Sequence, residues 1–236
     1  MAELNALMAI RENLMRLGLS ETEAPTDPMH LFNTWVAYAE ELGFHNANAM
    51  TLATVNERLE PSLRNVLLRD VVGEGLVFYT NYESRKGRDL SRQKVAAALL
   101  GWLPLERQIR LTGKVEKVDP DVSDRYFSRR ARESQISAVI SNQSRPVKNR
   151  RKLEEKWEQL DAQLDGASPE RPPYWGGYLL IPDTVEFWQG RPHRLHDRLV
   201  YQRTNRGWDL ERLAPCALDS VIKPAPVESN RGQPVN

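Results

Sequence analysis

VAAALLGWLPLERQIRLTGKVEKV, residues 95–118, contains two strand-like runs, 95–102 and 107–118, with only LPLE between them. That connection is far too short for the crossover a parallel pair requires, so the two runs must double back as antiparallel neighbours. The same pattern repeats on both sides. Upstream lie AMTLATV (49–55), LRNVLLR (63–69) and GLVFYTN (75–81); downstream lie YWGGYLLI (174–181), TVEFWQG (184–190), RLHDRLVYQR (194–203) and GWDLERL (207–213). Turn-rich pieces separate them, apart from a helix-like insert at 84–92. Many short strands with few intervening helices predict a mainly β protein, an antiparallel barrel with flanking α-helices rather than a doubly wound parallel sheet. No GxGxxG or P-loop motif is present.

Helical periodicity frames this β region. Leu4, Leu7, Ile10, Leu14 and Leu17 recur at three- and four-residue steps and predict an amphipathic helix over 1–17. A polar linker, Thr22 to Pro28, follows. Asp27-Pro28 then reads as an N-cap with proline at the first helical position, opening a helix that buries Leu31, Phe32, Trp35, Val36 and Ala39 and stops near Gly43. Residues 120–164 read as mostly helical, with Pro120 opening one segment and VKNRRKLEEKWEQL (147–160) forming another. The expected organisation is a helix and linker (1–27), a barrel domain (28–215) and a proline-bearing, disordered or foreign tail (216–236).

Composition narrows the function classes. The 236 residues carry 33 basic and 32 acidic side chains, a net charge of +1, so no overall field recruits nucleic acid or an anionic membrane. Any anion site must be local. The single cysteine, Cys216, excludes an internal disulfide and a multi-cysteine metal site and suits the reducing cytoplasm. The amino terminus shows no secretory pattern, and the longest apolar run, Val95 to Leu103, is too short to span a bilayer. His30, His45, His193 and His196 lack metal-ligand spacing, so no metal is expected.

Five stretches concentrate donors suited to an anion. In YTNYESRKG (79–87) a strand end and turn lead into a helix opened by Ser84-Arg85-Lys86, a ready phosphate site. LRNVLLR places Arg64 and Arg69 at the ends of an apolar run. In LERQIRLTG, Gln108 and Arg110 share one strand face. YFSRRARESQISAVISNQS (126–144) offers Tyr126, Arg129, Arg130, Arg132, Ser134 and the Gln143-Ser144 pair. EFWQGRPHRLHDR (186–198) adds Trp188, a ring that can stack on a planar ligand, and alternation predicts Arg194, His196 and Arg198 on one strand face, with Leu195, Asp197 and Leu199 on the other. No stretch is a strong signal alone, though a histidine flanked by arginine at both i−2 and i+2 in the last one points toward a ligand site. Together they supply too many phosphate-type donors for a protein of charge +1.

RNVLLR, VFYTNYESRKGRDL, LERQIRLTGKVEKV, YFSRRARESQISAVISNQS, YWGGYLL, VEFWQGRPHRLHDRLVYQR and ERLAP, in this order from Pro28 to Pro215, resemble the pyridoxine/pyridoxamine 5′-phosphate oxidase family of FMN enzymes. The resemblance implies an FMN-binding split β-barrel, Greek-key-like, working as a cytoplasmic homodimer with FMN at the subunit interface. It implies FMN contacts at Arg64, Tyr79, Thr80, Arg85, Lys86, Gln108, Gln143, Ser144, Trp188 and Arg198. Substrate contacts are implied at Arg69, Tyr126, Arg130, Ser134, Arg194 and His196, the last two beside the reacting ring as the catalytic pair. The chemistry implied is oxidation of pyridoxine or pyridoxamine 5′-phosphate to pyridoxal 5′-phosphate, with dioxygen reduced to hydrogen peroxide. Nucleic acid and membrane are not expected partners.

Three positions depart from the family's pattern, all on the substrate side. Arg69 stands for a lysine, Arg11 is followed by Leu14 where an Arg-x-x-Tyr lid element has tyrosine, and Asn46-Ala47 replaces an acidic residue and proline. They motivate two other readings: a split-barrel flavin oxidase of another planar anion such as a phenazine precursor, or a non-catalytic module that binds FMN or pyridoxal 5′-phosphate.

Overall fold

The structure, a computed structural model, describes residues 2–215; Cys216 and the expected tail lie outside the described residues. Helix α1 (Ala2–Leu17) and helix α2 (Pro28–Glu41) precede strands β1 (Ala49–Val55), β2 (Pro61–Leu67), β3 (Asp70–Val72) and β4 (Gly75–Asn81). Helix α3 (Arg85–Arg92), strands β5 (Val95–Trp102) and β6 (Arg107–Lys117), and helices α4 (Pro120–Ser128), α5 (Arg132–Ile140) and α6 (Arg150–Leu164) follow. Strands β7 (Trp175–Gln189), β8 (Asp197–Thr204) and β9 (Gly207–Arg212) complete the fold. No helix is long and apolar enough to cross a membrane among the described residues.

Every strand pair is antiparallel, in the order β2-β1-β5-β6-β7-β4-β3, with β8 and then β9 branching from β7. The core forms where β1, β5, β6 and β7 turn alternate apolar side chains inward: Met50, Leu52, Leu100, Ile109, Leu111 and Phe187 are fully buried. Helix α2 closes it with Phe32 and Trp35, the latter edge-on to Phe187 at 5.4 Å. As its sequence predicts, α2 starts at Asp27, whose Oδ1 accepts from the Met29 amide at 2.8 Å, with Pro28 at the first position.

Strand β7 corrects one expectation. YWGGYLLI and TVEFWQG are not two strands but one of 15 residues. One edge pairs with β6 from Tyr178 to Gln189, with a bulge between Thr112 and Gly113; the other edge pairs with β4 through Leu180 and with β8 from Thr184. Pro182 falls at the bulge and in the gap between these two partners, where its missing N–H breaks no ladder. A Cβ at Gly113 would lie 2.0 Å from the Ile181 carbonyl oxygen, so the bulge demands glycine there.

Arg203 plugs this split. Its Nε donates to the Pro182 carbonyl at 2.8 Å, it pairs with Glu74 in the β3–β4 turn, and its guanidinium lies 4.3 Å over Trp208. Trp208 Nε1 donates to the same Glu74 carboxylate at 2.8 Å. The β4 and β8 branches are thus tied across the gap by one ion pair and one stacked ring.

Two other expectations change. Strand β2 starts at Pro61 and ends at Leu67, which leaves Arg69 in the loop before the unexpected three-residue β3. Strand β8 begins only at Asp197. Arg194 lies in a 3-10 turn, Pro192–Arg194, with φ of +60° at His193 and +62° at Arg194, so Arg194, His196 and Arg198 do not share one strand face. Pro192 and the turn it opens override the alternation. Leu195, expected to share a face with Leu199, is 66% exposed, whereas Leu199 is fully buried.

Candidate functional site

The first group of expected residues assembles around the start of α3. The Asn81 side chain accepts from the Glu83 amide at 2.7 Å and makes the turn; Ser84 caps the helix, accepting from the Gly87 amide at 3.2 Å. A Cβ on Gly87 would lie 2.1 Å from the Tyr82 carbonyl oxygen, so glycine lets the helix press onto the turn and fixes Arg85 and Lys86 beside the end of β4. Lys86 Nζ donates to Thr80 Oγ1 at 3.0 Å and Gln143 Oε1 at 3.2 Å, and the Arg85 amide donates to Ser144 Oγ at 3.1 Å. Arg64 reaches in from β2, held by Thr54 Oγ1 and Ser62 Oγ, both at 2.7 Å.

The electrostatics are those of an anion site. Burial, with Arg64 adding its charge, lowers the Lys86 pKa to about 8. Burial also lowers Arg64, where Asp89 opposes the shift and Arg85 reinforces it. Asp89 stands 4.0 Å from Arg64 and accepts from Thr54 Oγ1 at 2.7 Å. Lys86 has no carboxylate partner among the described residues. An anion between these cations would relieve their mutual repulsion.

A cavity of about 290 Å³ joins this group to a second set of cations. Arg69, Tyr79, Thr80, Lys86, Tyr126, Arg130 and Gln143 all line it. Tyr79 and Tyr126 stack at 3.7 Å, nearly parallel, and Trp175 continues the aromatic wall 5.5 Å from Tyr79. The Arg130 guanidinium lies 4.7 Å over Trp175, and its Nη1 is buried without a hydrogen-bond partner among the described residues. Burial lowers the Arg130 pKa; Tyr126 opposes this and Arg69 adds to it. Arg130 also lines an adjoining cavity of about 330 Å³ that holds Ser134.

A third set occupies the far end of the sheet. Gln108 pairs in register with Trp188, and Trp188 with Arg198, so the three stand in one cross-strand row on one face. The His196 ring lies 4.8 Å from Trp188, and its Nδ1 accepts from the Arg191 amide at 3.1 Å, which leaves Nε2 without a hydrogen-bond partner among the described residues. The exposed Arg194 sits on the consecutive left-handed residues, a strained arrangement of the kind found at functional turns. Asp197 clamps the base of this turn, accepting from Arg212 Nη1 at 2.6 Å and from the Leu19 amide at 2.9 Å.

Helix α1 lies at this end too. Arg11 pairs with Glu106 at 2.6 Å, and Leu14 is buried in the core. Asn46 occupies a left-handed turn position, φ +54°, and Ala47 is buried beneath Trp102, whose Nε1 donates to the Ala47 carbonyl at 3.0 Å.

The third set does not meet the first two within one chain. Trp175 and Trp188 mark opposite ends of β7, separated by roughly 40 Å of extended strand. No cavity and no hydrogen bond joins the two ends' expected residues among the described ones. Sequence reasoning missed Trp175, which backs Arg130, and Glu186, a buried carboxylate between Arg110 and Arg198. The signal for Glu186 was its two-residue spacing from Trp188, which puts both on one strand face.

Comparison with known proteins gives a consistent picture. Residues 38–163 match the family described as pyridoxamine 5′-phosphate oxidase, and residues 175–215 match the pyridoxine 5′-phosphate oxidase C-terminal dimerisation region. Pyridoxine/pyridoxamine 5′-phosphate oxidases of Burkholderia lata and Burkholderia multivorans are 46% and 47% identical over 215 residues, 90% of this chain and 100% of each relative. Among solved structures, PhzG from Burkholderia lata, in complex with tetrahydrophenazine-1-carboxylic acid, superposes with a TM-score of 0.79 at 30% identity, covering 84% of this chain and 98% of that one. An FMN-binding protein from Nostoc punctiforme, related to pyridoxamine 5′-phosphate oxidase, aligns at TM-score 0.61 and 19% identity over 76% of this chain and 95% of its own, a likeness of fold alone.

Proposed function

The chain belongs to the pyridoxine/pyridoxamine 5′-phosphate oxidase family of FMN-binding split β-barrels, and on that premise we propose that it is a cytoplasmic oxidase of phosphorylated B6 vitamers. Its substrates are pyridoxine 5′-phosphate and pyridoxamine 5′-phosphate and its product is pyridoxal 5′-phosphate; dioxygen leaves as hydrogen peroxide, and water hydrolyses the imine formed from the amine substrate and releases ammonia. One observation carries the reading. Lys86, which stands with Arg64 and Arg85, and a second set of cations, Arg69 and Arg130, line one cavity walled by Tyr79 and Tyr126. Two phosphates, one on the cofactor and one on the substrate, suit two such sets.

FMN is the cofactor, and the residues present fit it. A phosphate matches the α3 amino terminus with Lys86, whose charge lacks a carboxylate partner among the described residues; a planar ring matches the Gln108–Trp188–Arg198 row. When bound, FMN supplies the two-electron acceptor and returns the electrons to dioxygen. The protein's part is binding and orientation. Arg69, Tyr126, Arg130 and Ser134 hold the substrate phosphate, and Arg130 Nη1 gains the partner it lacks. Arg194 and His196 place the reacting carbon. Because these two lie at the other end of β7, a homodimer in which each copy's Arg194–Arg198 end faces the other's cavity completes two sites. Helix α1, packed at that end, then covers the partner's substrate.

The test is anaerobic mixing of the FMN-loaded protein with pyridoxamine 5′-phosphate. Bleaching of the flavin band, followed by pyridoxal 5′-phosphate and peroxide on admitting air, is expected. A band that persists with both vitamers would overturn the reading. The second reading, oxidation of another planar anion such as a reduced phenazine carboxylic acid, draws on the likeness to PhzG and on Arg69, whose planar fork suits a carboxylate. Faster bleaching by a tetrahydrophenazine carboxylic acid than by either vitamer would favour it.

A further inference from the structure

We propose that Glu186 is a positioning residue for flavin binding: its buried carboxylate grips Arg198 and Arg110 and thereby fixes the Arg198 guanidinium in line with Trp188 and Gln108. The proposal rests on Arg198 contacting FMN, as argued above.

The strand register places it there. Arg110 and Glu186 are partners across β6 and β7, in the row beside Gln108, Trp188 and Arg198. Residues two apart on a strand share a face, so Glu186 stands with Trp188, and Arg110 with Gln108. Glu186 Oε1 accepts from Arg198 Nε at 2.8 Å while Oε2 pairs with Arg110. The Glu186 side chain is only 5% exposed, against 25% for Arg198 and 55% for Arg110, so the carboxylate lies beneath its two arginines.

Stability alone is a poor reason for that arrangement. A carboxylate withdrawn from water gains back little more than its desolvation cost, and an apolar residue of similar size commonly serves a fold at least as well. Orientation is a better reason. Glu186 holds Arg198 at Nε and the Ala214 carbonyl holds Nη1 at 3.2 Å, which leaves Nη2 with no partner among the described residues. A planar guanidinium fixed at two of its nitrogens presents the third in one direction.

Charge and positioning predict opposite outcomes. Glu186→Gln removes a negative charge from a face that receives an anionic cofactor, so simple electrostatics makes FMN bind more tightly. Loss of positioning makes it bind more weakly, by about tenfold. The measurement is titration of the full-length apoprotein with FMN, followed by flavin fluorescence, at low and high salt, with thermal melting of each apoprotein as the fold control. A raised Kd at both salt concentrations, with partial recovery in Glu186→Asp, supports the role; an unchanged or lowered Kd overturns it. If Glu186→Gln does not fold, Arg198→Lys carries the test, since lysine keeps the charge but cannot be held at one nitrogen while offering another. A Kd equal to that of the parent protein would then refute the proposal. Failure of the parent protein itself to bind FMN at micromolar concentration refutes the flavin reading instead, so the two failures are distinguishable.

Discussion

Trp188 and Arg198 are register partners on the β7–β8 ladder, so an indole and a guanidinium project side by side from one sheet face. Arg194, only four residues earlier, sits outside the strand on a left-handed turn. On the proposed function, this separation divides their work. Arg198→Ala should raise the Kd for FMN at least tenfold, a charge-assisted contact being worth about 1.5–3 kcal/mol. Arg194→Ala should retain FMN and lose turnover. Equal loss of FMN from both variants would contradict the division.

If Lys86 holds the FMN phosphate as proposed, cofactor binding should depend on pH. Burial and Arg64 lower its pKa to about 8, so above that pH the free site loses a positive charge. A bound phosphate favours the charged form, and binding must then take up a proton. FMN affinity should hold steady below pH 8 and fall by up to about tenfold per unit above it. The effect on folding runs the other way: the unfolded chain keeps the Lys86 proton to higher pH, so this group's penalty on the apoprotein eases as pH rises from 8 to 10. Fluorescence titrations and apoprotein melts across pH 7–10 separate the two.

The split between the two ends of β7 predicts complementation. Lys86→Ala damages the α3 end and Arg198→Ala the β8 end. Each variant alone should be inactive as a homodimer. Unfolded together and refolded, the two should recover about one quarter of the parent activity, because half the dimers are mixed and each holds one intact site. No recovery, with mixed dimers present by mass, would place both ends in a single chain's site.

Arg203→Met should destabilise the fold and spare the cofactor. It removes the pair with Glu74 and the bond to Pro182, both partly exposed, for an expected loss of about 1–2 kcal/mol and a melting point lower by roughly 2–6 °C. FMN affinity should not change. A large affinity loss without a change in melting would show that the β7 split belongs to the site.

Much of this fold is legible in the chain because strand alternation and helix caps are local. Asp27-Pro28 marks α2, Ser84 marks α3, and β1, β4 and β5 end where their apolar runs end. The failures have a common cause. Pro182 reads as a break until its place between two successive partners of β7 is known, and Arg194 reads as strand because alternation carries no knowledge of the turn Pro192 imposes. The site is legible in the same measure. SRKG and the Gln143-Ser144 pair come together as their chemistry suggests, whereas Glu186 and Trp175 gain meaning only from β-sheet register and from Arg130 packing over a ring.

Strand β7 also sets the timetable of folding. Its pairing with β4 joins Leu76 to Leu180, more than a hundred residues later in the chain. At about 5–20 residues per second of synthesis, β4 waits several seconds on the ribosome with one edge bare. Until β7 emerges, that edge is open to a wrong strand from the same or another nascent chain. The sheet therefore closes late, and the β4 wall of the cavity gains its neighbouring strand only once the first residues of β7 have been made.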